Sequence, residues 1–555
     1  MLFFQLLLFG GYVYAHLLRT YLAPAAQGAV HLTLLATAAL MLPIEPSDAW
    51  KPTGIESPTL YLLWMLIVHV GVPYFVLSST GPLVQAWLSY QDDSDRVYRL
   101  YALSNAGSLL ALLSYPFVVE PILSVSDQSV LWSMMFCGFV VVQGLLAIGL
   151  FRVSRKKLPA KLSEPTDAPA PAKPTWSLRA AWVALPALAS TMLLVTTNHV
   201  CQDIAVIPFL WVLPLSLYLI SFIICFDSPQ WYKPKIIAVV TLLAMGGIYS
   251  HELLPFTMQL IAEGFCYMVM LLGVCLLCHG EVARIKPRSQ FLTQYYALLS
   301  AGGAIGGLIV AVACPLLLST FAEVPFTISL VCALTFLLFI ACDGWRQTTY
   351  NWIAVRRMSY AAVIAVVAST VLSVVSTGKH TIASERNFFG VLTVVQEELG
   401  IRLVHGTVMH GMQRSGEHAS EPTTYYGRQA GVGKTIKALQ DRQDSLQIGV
   451  VGLGCGVLAT YGRPADRFDM IEINPAVIEI ANEHFTFMRD CPSELRTHLG
   501  DGRLVLERMT DANFDLLVLD AFSSDAIPAH LLTREAIALY RQRLAADGVL
   551  AIHVS

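Results

Sequence analysis

Apolar residues fill the first two thirds of the chain in long blocks and then give way to short runs broken by glycines, acids and turns. The long blocks are about 20 residues each, the length that crosses a hydrocarbon core. Candidate spans fall at 1–20, 27–43, 59–78, 99–119, 129–151, 181–198, 204–226, 236–250, 254–278, 292–318, 324–342 and 358–377, about twelve in all. Residues 152–179 separate the fifth from the sixth. They are rich in Pro, Ala and Lys (Arg155-Lys156-Lys157, then Pro165, Pro169, Pro171 and Pro174) and read as a flexible hydrophilic linker. After residue 378 the pattern changes. Arg386–Val394 and Gly400–Gly406 read as strands with a turn between them. From Ile448 strands (448–452, 468–472, 496–499, 514–519, 549–554) alternate with helices (475–487, 502–509, 533–545). That alternation predicts a parallel sheet with helices on both faces and a ligand at the carboxyl ends of its strands.

The linker divides two related halves. Tyr101-Ala102-Leu103-Ser104-Asn105-Ala106-Gly107-Ser108 recurs as Tyr296-Ala297-Leu298-Leu299-Ser300-Ala301-Gly302-Gly303, an offset of 195 residues. Both copies continue as apolar runs ending in proline, Pro116 and Pro315. An internal repeat of this kind is a common way to build a transporter. Gly302, Gly303, Gly306 and Gly307 suit close helix packing. Polar residues inside the apolar blocks are few: His69, Asn105, Asn198, His199, Gln202 and Asp203. Each is costly in lipid and so a candidate for function, and the last four form the densest cluster.

Composition sharpens this division. Of 555 residues 55% are hydrophobic and only 14% charged, against about 25% charged in soluble proteins. The deficit lies before residue 379, so one region belongs in lipid and the other in water. The net charge of −3 averages over both and points to no partner. No nucleic-acid partner is expected; the expected partners are the lipid bilayer and a small-molecule amine, with a homodimer allowed. A multi-pass protein of the cell (inner) membrane follows. Basic loops at 152–179, Lys233 and Lys235, 284–288 and 346–357 alternate as cytoplasmic loops should. One further span at 358–377 would then put the water-soluble half outside, whereas its chemistry calls for the cytoplasm. Met1-Leu2-Phe3-Phe4 has no basic lead, and the chain stops within a strand, so an incomplete C-terminus is expected.

The eleven cysteines mostly sit in apolar runs and read as small buried hydrophobes. Cys275-Leu276-Leu277-Cys278-His279 matches a haem-attachment string but ends an apolar run, and is set aside. Gly431-Val432-Gly433-Lys434-Thr435 resembles a phosphate loop, yet Arg428 stands where its first glycine belongs, and the segment reads as a helix.

The chemistry gathers at the strand ends. Gly452-Leu453-Gly454-Cys455-Gly456 closes the first strand. Its glycines allow close backbone approach to a ligand, and Glu472, twenty residues after Gly452, can accept hydrogen bonds from a ribose diol. Gly500-Asp501-Gly502 closes the third strand and Asp520 the fourth, within Leu519-Asp520-Ala521-Phe522-Ser523-Ser524-Asp525. Asp501 would face the base or also cap a helix. Asp520 and Asp525 lie further along the cleft, where a carboxylate pair suits an ammonium group that must lose a proton to become a nucleophile. No metal is expected.

These motifs resemble the polyamine aminopropyltransferase (spermidine synthase) family, in the form fused to a transporter-like membrane region. The resemblance covers about residues 386–555 and rests on the glycine turn, Glu472-Ile473-Asn474-Pro475, Gly500-Asp501-Gly502, and Asp520 with Ser523-Ser524-Asp525. It implies a Rossmann-like, class I methyltransferase-type α/β domain (441–555) behind a small β-domain (379–440). The multi-span helical region with its internal repeat comes first (1–151 and 180–378, around the linker 152–179). It also implies transfer of an aminopropyl group from decarboxylated S-adenosylmethionine to a diamine. Asp520 would be the proton acceptor, Gly452, Gly454, Gly456, Glu472, Asp501 and Gln413 would hold the cofactor, and Tyr426 and Asp525 the acceptor. Three departures bear on the amine. Cys455 stands where the family has an aspartate, Asp520 and Asp525 are five apart instead of three, and Gly427-Arg428-Gln429 lacks the acid that follows the substrate tyrosine. S-adenosylmethionine itself is therefore a second cofactor candidate, which would make the protein a methyltransferase. From another class, the water-soluble half could sense a nucleoside or polyamine for a transporter without catalysis.

Overall fold

A computed structural model describes residues 1–52, 57–89, 96–155, 173–201, 210–250, 255–331, 333, 380–406, 408–521 and 528–553. The expected spans at 324–342 (in large part) and 358–377, most of the linker, and Gln202, Asp203 and Asp525 lie outside the described residues.

The chain forms two compact units. In the first, seven described helices are long and apolar enough to cross a membrane: Leu2–Tyr21, Pro58–Leu88, Val97–Ile122, Val125–Phe151, Trp176–His199, Met258–Arg284 and Ser289–Leu317. Val212–Asp227 and Pro234–Ile248 are shorter apolar helices. The repeated octapeptides meet inside this unit, where the rings of Tyr101 and Tyr296 stack at 4.9 Å and 21°. Each copy's helix then loosens into a π turn, at Tyr115–Val119 and at Ile309–Ala313. Cys275 and Cys278 are buried, and the His279 ring stacks on Phe222 at 3.6 Å, as core residues do. His199 pairs with Glu263 at 3.2 Å.

The second unit holds two sheets. An antiparallel meander comes first: β1 (Thr381–Asn387), β2 (Gly390–Glu397), β3 (Gly400–His405) and β4 (Val408–Arg414). The expected single strand over 386–394 is in fact a hairpin. The Asn387 side chain accepts from the Phe389 N–H at 2.9 Å, and Gly390 turns the chain with φ +132°, a value costly for any other residue. A five-stranded parallel sheet follows, made of β5 (Gln447–Val451), β6 (Arg467–Glu472), β7 (Glu494–Leu499), β8 (Phe514–Leu519) and β9 (Leu544–Ile552), in the order β7-β6-β5-β8-β9.

The alternation along its central strands explains the layers. Ile448, Val450, Phe468, Met470, Leu516 and Val518 point to one face. There they bury against the helices Gly431–Gln440 and Pro475–His484 and against Leu392, Val394 and Leu403 of the meander. Val451, Ile471, Leu517 and Leu519 point to the other, against Gly502–Arg508 and Arg534–Arg543. Both faces are dry, so the strands read as continuous apolar runs. The segment from Gly431 is a helix, and the phosphate-loop likeness ends there.

Candidate active site

The strand ends are tied by backbone bonds that continue the sheet beyond its last residues. Gly452 N–H donates to Ile471 O at 2.9 Å, Asp520 N–H to Val451 O at 2.8 Å, Gly500 N–H to Glu472 O at 2.8 Å, and His553 N–H to Leu519 O at 2.9 Å. Gly452, Glu472, Asp520 and His553 are thereby set on one rim. Above this rim lies a cavity of about 220 Å³. Gly452, Gly454, Glu472, Asn474, Asp501 and Asp520 line it from the sheet side. Phe389, Leu392, Leu403, His405, His410 and Tyr425 line it from the meander side.

The glycine turn is built for close approach. Gly452 has φ +99°, and a Cβ there would lie 2.2 Å from the Asp520 carbonyl oxygen. Gly454 has φ +56°, and a Cβ would meet the His410 carbonyl oxygen at 2.7 Å. A five-residue 3-10 turn, Val457–Tyr461, follows in place of an α-helix. A dinucleotide fold seats a pyrophosphate on a helix N-terminus at this point; a single 3-10 turn offers no such helix. Gly456 (φ +83°) packs on Met488 and is not among the cavity walls.

Glu472 is 8% exposed and its carboxylate is held by two backbone donors, Leu453 N–H at 3.0 Å and Asn474 N–H at 2.9 Å. Burial raises its pKa, and these bonds oppose the rise. Asn474 caps the next helix with Oδ1, which also accepts from Asn387 Nδ2 at 2.6 Å. Its own Nδ2 is buried on the cavity wall without a partner among the described residues. Such a donor needs an acceptor to offset its desolvation. Asp501 caps the helix Gly502–Arg508 through Leu504 N–H (3.0 Å) and pairs with His530 Nε2 at 2.8 Å.

Asp520 lies across the glycine turn. It is 9% exposed, and His553 Nδ1 donates to its Oδ1 at 2.6 Å. Burial pushes its pKa up to about 6, against the pull of His553. Tyr425 stacks on His553 at 4.3 Å and 25°.

The residues expected from sequence divide into two groups. Gly452, Gly454, Glu472, Asp501 and Asp520 come together on the cavity. Gln413 and Tyr426 do not reach it. Gln413 braces the meander: its Nε2 donates to Ala419 O (2.9 Å) and Thr486 Oγ1 (2.8 Å), and its Oε1 accepts from Thr486 N–H (3.1 Å). Tyr426 is buried in the core, and its neighbour Tyr425 takes the wall. The reason is local. Thr424–Tyr426 form a 3-10 turn with Thr424 at φ +58°, and successive side chains of such a turn point about 120° apart. Cys455 is 1% exposed, packs against Gly411, and has its thiol pushed up to about 12 by burial, so it is a neutral wall of the core. Sequence reasoning missed Tyr425, His553, His405, His410 and Asn474. Of these His553 carried a signal, since it directly follows the fifth parallel strand. Among the described residues no group of three His, Cys, Asp or Glu is placed to hold a metal ion.

No family model matches the chain. A polyamine aminopropyltransferase of Vibrio vulnificus is 31% identical over 187 residues, 33% of this chain and 62% of that protein. An eEF1A lysine and N-terminal methyltransferase of Xenopus laevis is 32% identical over 82 residues, 14% of this chain and 12% of that protein. A solved structure described as a probable spermidine synthase from Corynebacterium glutamicum is 20% identical with a TM-score of 0.27, covering 31% of this chain and 62% of that one. The chain thus spans 62% of the length of the Vibrio relative. Over about a third of its length it is similar to polyamine aminopropyltransferases.

Proposed function

We propose that the α/β half binds an S-adenosylmethionine-type nucleoside and transfers its aminopropyl group to an amine, on a chain anchored in a bilayer by the helical half. One observation carries this reading. One cavity is lined by Glu472 and by Asn474, whose Nδ2 has no partner among the described residues, as a ribose diol requires, and by Asp520, a buried carboxylate paired with His553. In the transfer, the amine nitrogen forms a bond to the carbon next to the sulfonium. The carbon–sulfur bond breaks with its electron pair going to sulfur, and the ammonium proton passes to Asp520. His553 holds that carboxylate in place. In this reading the meander is the small β-domain of the aminopropyltransferase architecture, and the catalytic half faces the cytoplasm, where such nucleosides are made.

Calorimetry on the chain in nanodiscs, comparing decarboxylated with ordinary S-adenosylmethionine, tests the proposal. Tighter binding of the decarboxylated form supports it. A second reading is methyl transfer, because the neutral buried Cys455 stands where the resembled family carries an acid; tighter binding of the carboxylated form selects that reading. Binding of neither selects a transporter with a non-catalytic domain. The two π turns and the Tyr101–Tyr296 stack support a two-fold repeat in the helical half under any of the three.

The pH profile gives an independent check. A general base must be ionised, so the rate should fall as pH drops through about 6, the value to which burial lifts Asp520. A rate that stays flat from about pH 8 to 5 removes Asp520 from that role.

A further inference from the structure

The two ends of a carboxamide differ in kind, one accepting and one donating, so the end that faces a cavity decides what it can bind. At Asn474 that choice is made by backbone groups, whose roles are fixed by their chemistry. Phe389 N–H donates to Asn387 Oδ1 at 2.9 Å, so the Asn387 NH2 is the end left for Asn474. It donates to Asn474 Oδ1 at 2.6 Å, and Ala476 N–H donates to the same oxygen at 3.1 Å. Two donors on Oδ1 leave Nδ2 as the end free to meet a ligand. Asn474 lines the cavity, is 3% exposed, and its Nδ2 has no partner among the described residues. Its backbone N–H donates to Glu472 Oε1 at 2.9 Å, which sets the accepting carboxylate and the donating amide side by side on one wall. Asn387 ends β1 and is not itself among the cavity walls. Its hairpin is clamped from the next strand pair, where His405 Nε2 donates to the Phe389 carbonyl at 2.9 Å.

We infer that Asn387 is a positioning residue for the nucleoside: it turns the Asn474 amide so that Nδ2 donates to an oxygen of the ribose diol that Glu472 accepts from. The inference deepens the proposed function and rests on it. A hydroxyl can give its proton to a carboxylate and accept an N–H at the same time. A deoxy position can do neither, and it leaves a buried donor unpaired, which costs more than the bond itself contributes. Asn387→Asp would still accept from Phe389 N–H but would set an oxygen against Asn474 Oδ1. Turning the Asn474 amide over relieves that clash and takes the donor away from the diol.

The test is calorimetry on the chain in nanodiscs with 5′-methylthioadenosine and its 2′-deoxy and 3′-deoxy analogues. In the wild-type chain at least one analogue should bind roughly five- to a hundredfold more weakly than the parent. Asn474→Ser keeps a capping oxygen but removes the amide. It should weaken the parent by a similar factor and reduce the penalty for the missing hydroxyl. Asn387→Asp should weaken the parent comparably, and the double variant should bind within about threefold of the weaker single variant, because both act through one bond. Losses that multiply in the double variant are what an independent structural role would give, and they overturn the inference. So does an Asn387→Asp chain that binds like the wild type. Where Asn387→Asp does not fold, Asn474→Ser and the analogues decide: equal wild-type binding of all three nucleosides, or a hydroxyl penalty unmoved by Asn474→Ser, overturns the inference. Failure of the wild-type chain to bind 5′-methylthioadenosine overturns the nucleoside reading itself.

Discussion

Asp520→Asn should lower the rate of group transfer by roughly a hundredfold to ten-thousandfold, the usual contribution of a positioned base. The amide is nearly isosteric and can still meet His553, but it cannot take a proton. The position is demanding because Asp520 is anchored by its backbone and its side chain at once. Its N–H donates to Val451 O at 2.8 Å, and its carboxylate accepts from His553 at 2.6 Å. The measurement is single-turnover transfer with nucleoside affinity determined in parallel. A loss confined to turnover supports the base assignment. Full activity of the variant would transfer the role elsewhere in the cavity and leave Asp520 as a structural acid.

Gly452→Ala should be the most damaging single methyl among the glycines that line the cavity. Its Cβ would fall 2.2 Å from the Asp520 carbonyl oxygen and 2.6 Å from the carbonyl carbon, both backbone atoms held by the sheet. The backbone there also sits at φ +99°, which L side chains rarely adopt. Strain and forced displacement together should cost about 3–5 kcal/mol. Nucleoside binding should be lost as well, since relief requires moving β5 away from Asp520. Gly456→Ala is the matched control, because its Cβ meets the flexible Met488 side chain at 2.8 Å. Its melting temperature should fall less. Equal losses for the two variants would mean that φ alone, and not the contact with Asp520, makes Gly452 necessary.

The sequence by itself determined the division into a half of helices long and apolar enough to cross a membrane and a half of alternating strands and helices, because runs of about 20 apolar residues form such helices. It also determined the rim of the site. Gly452, Glu472, Asp501 and Asp520 each close a strand, and a parallel sheet brings the carboxyl ends of its strands to one edge whatever their spacing in the chain. The opposite wall was not legible. Phe389, Leu392, His405 and His410 reach the cavity only because the meander folds onto the sheet, a packing between segments that no local period encodes. Asp520 finds His553 33 positions away through the pairing of β8 with β9. Tyr425 and Tyr426 are chemically alike neighbours, and only the handedness of a 3-10 turn at Thr424 decides which one faces the cavity. Local pattern fixes what closes a strand; long-range packing, which depends on shape and not on period, fixes what faces it.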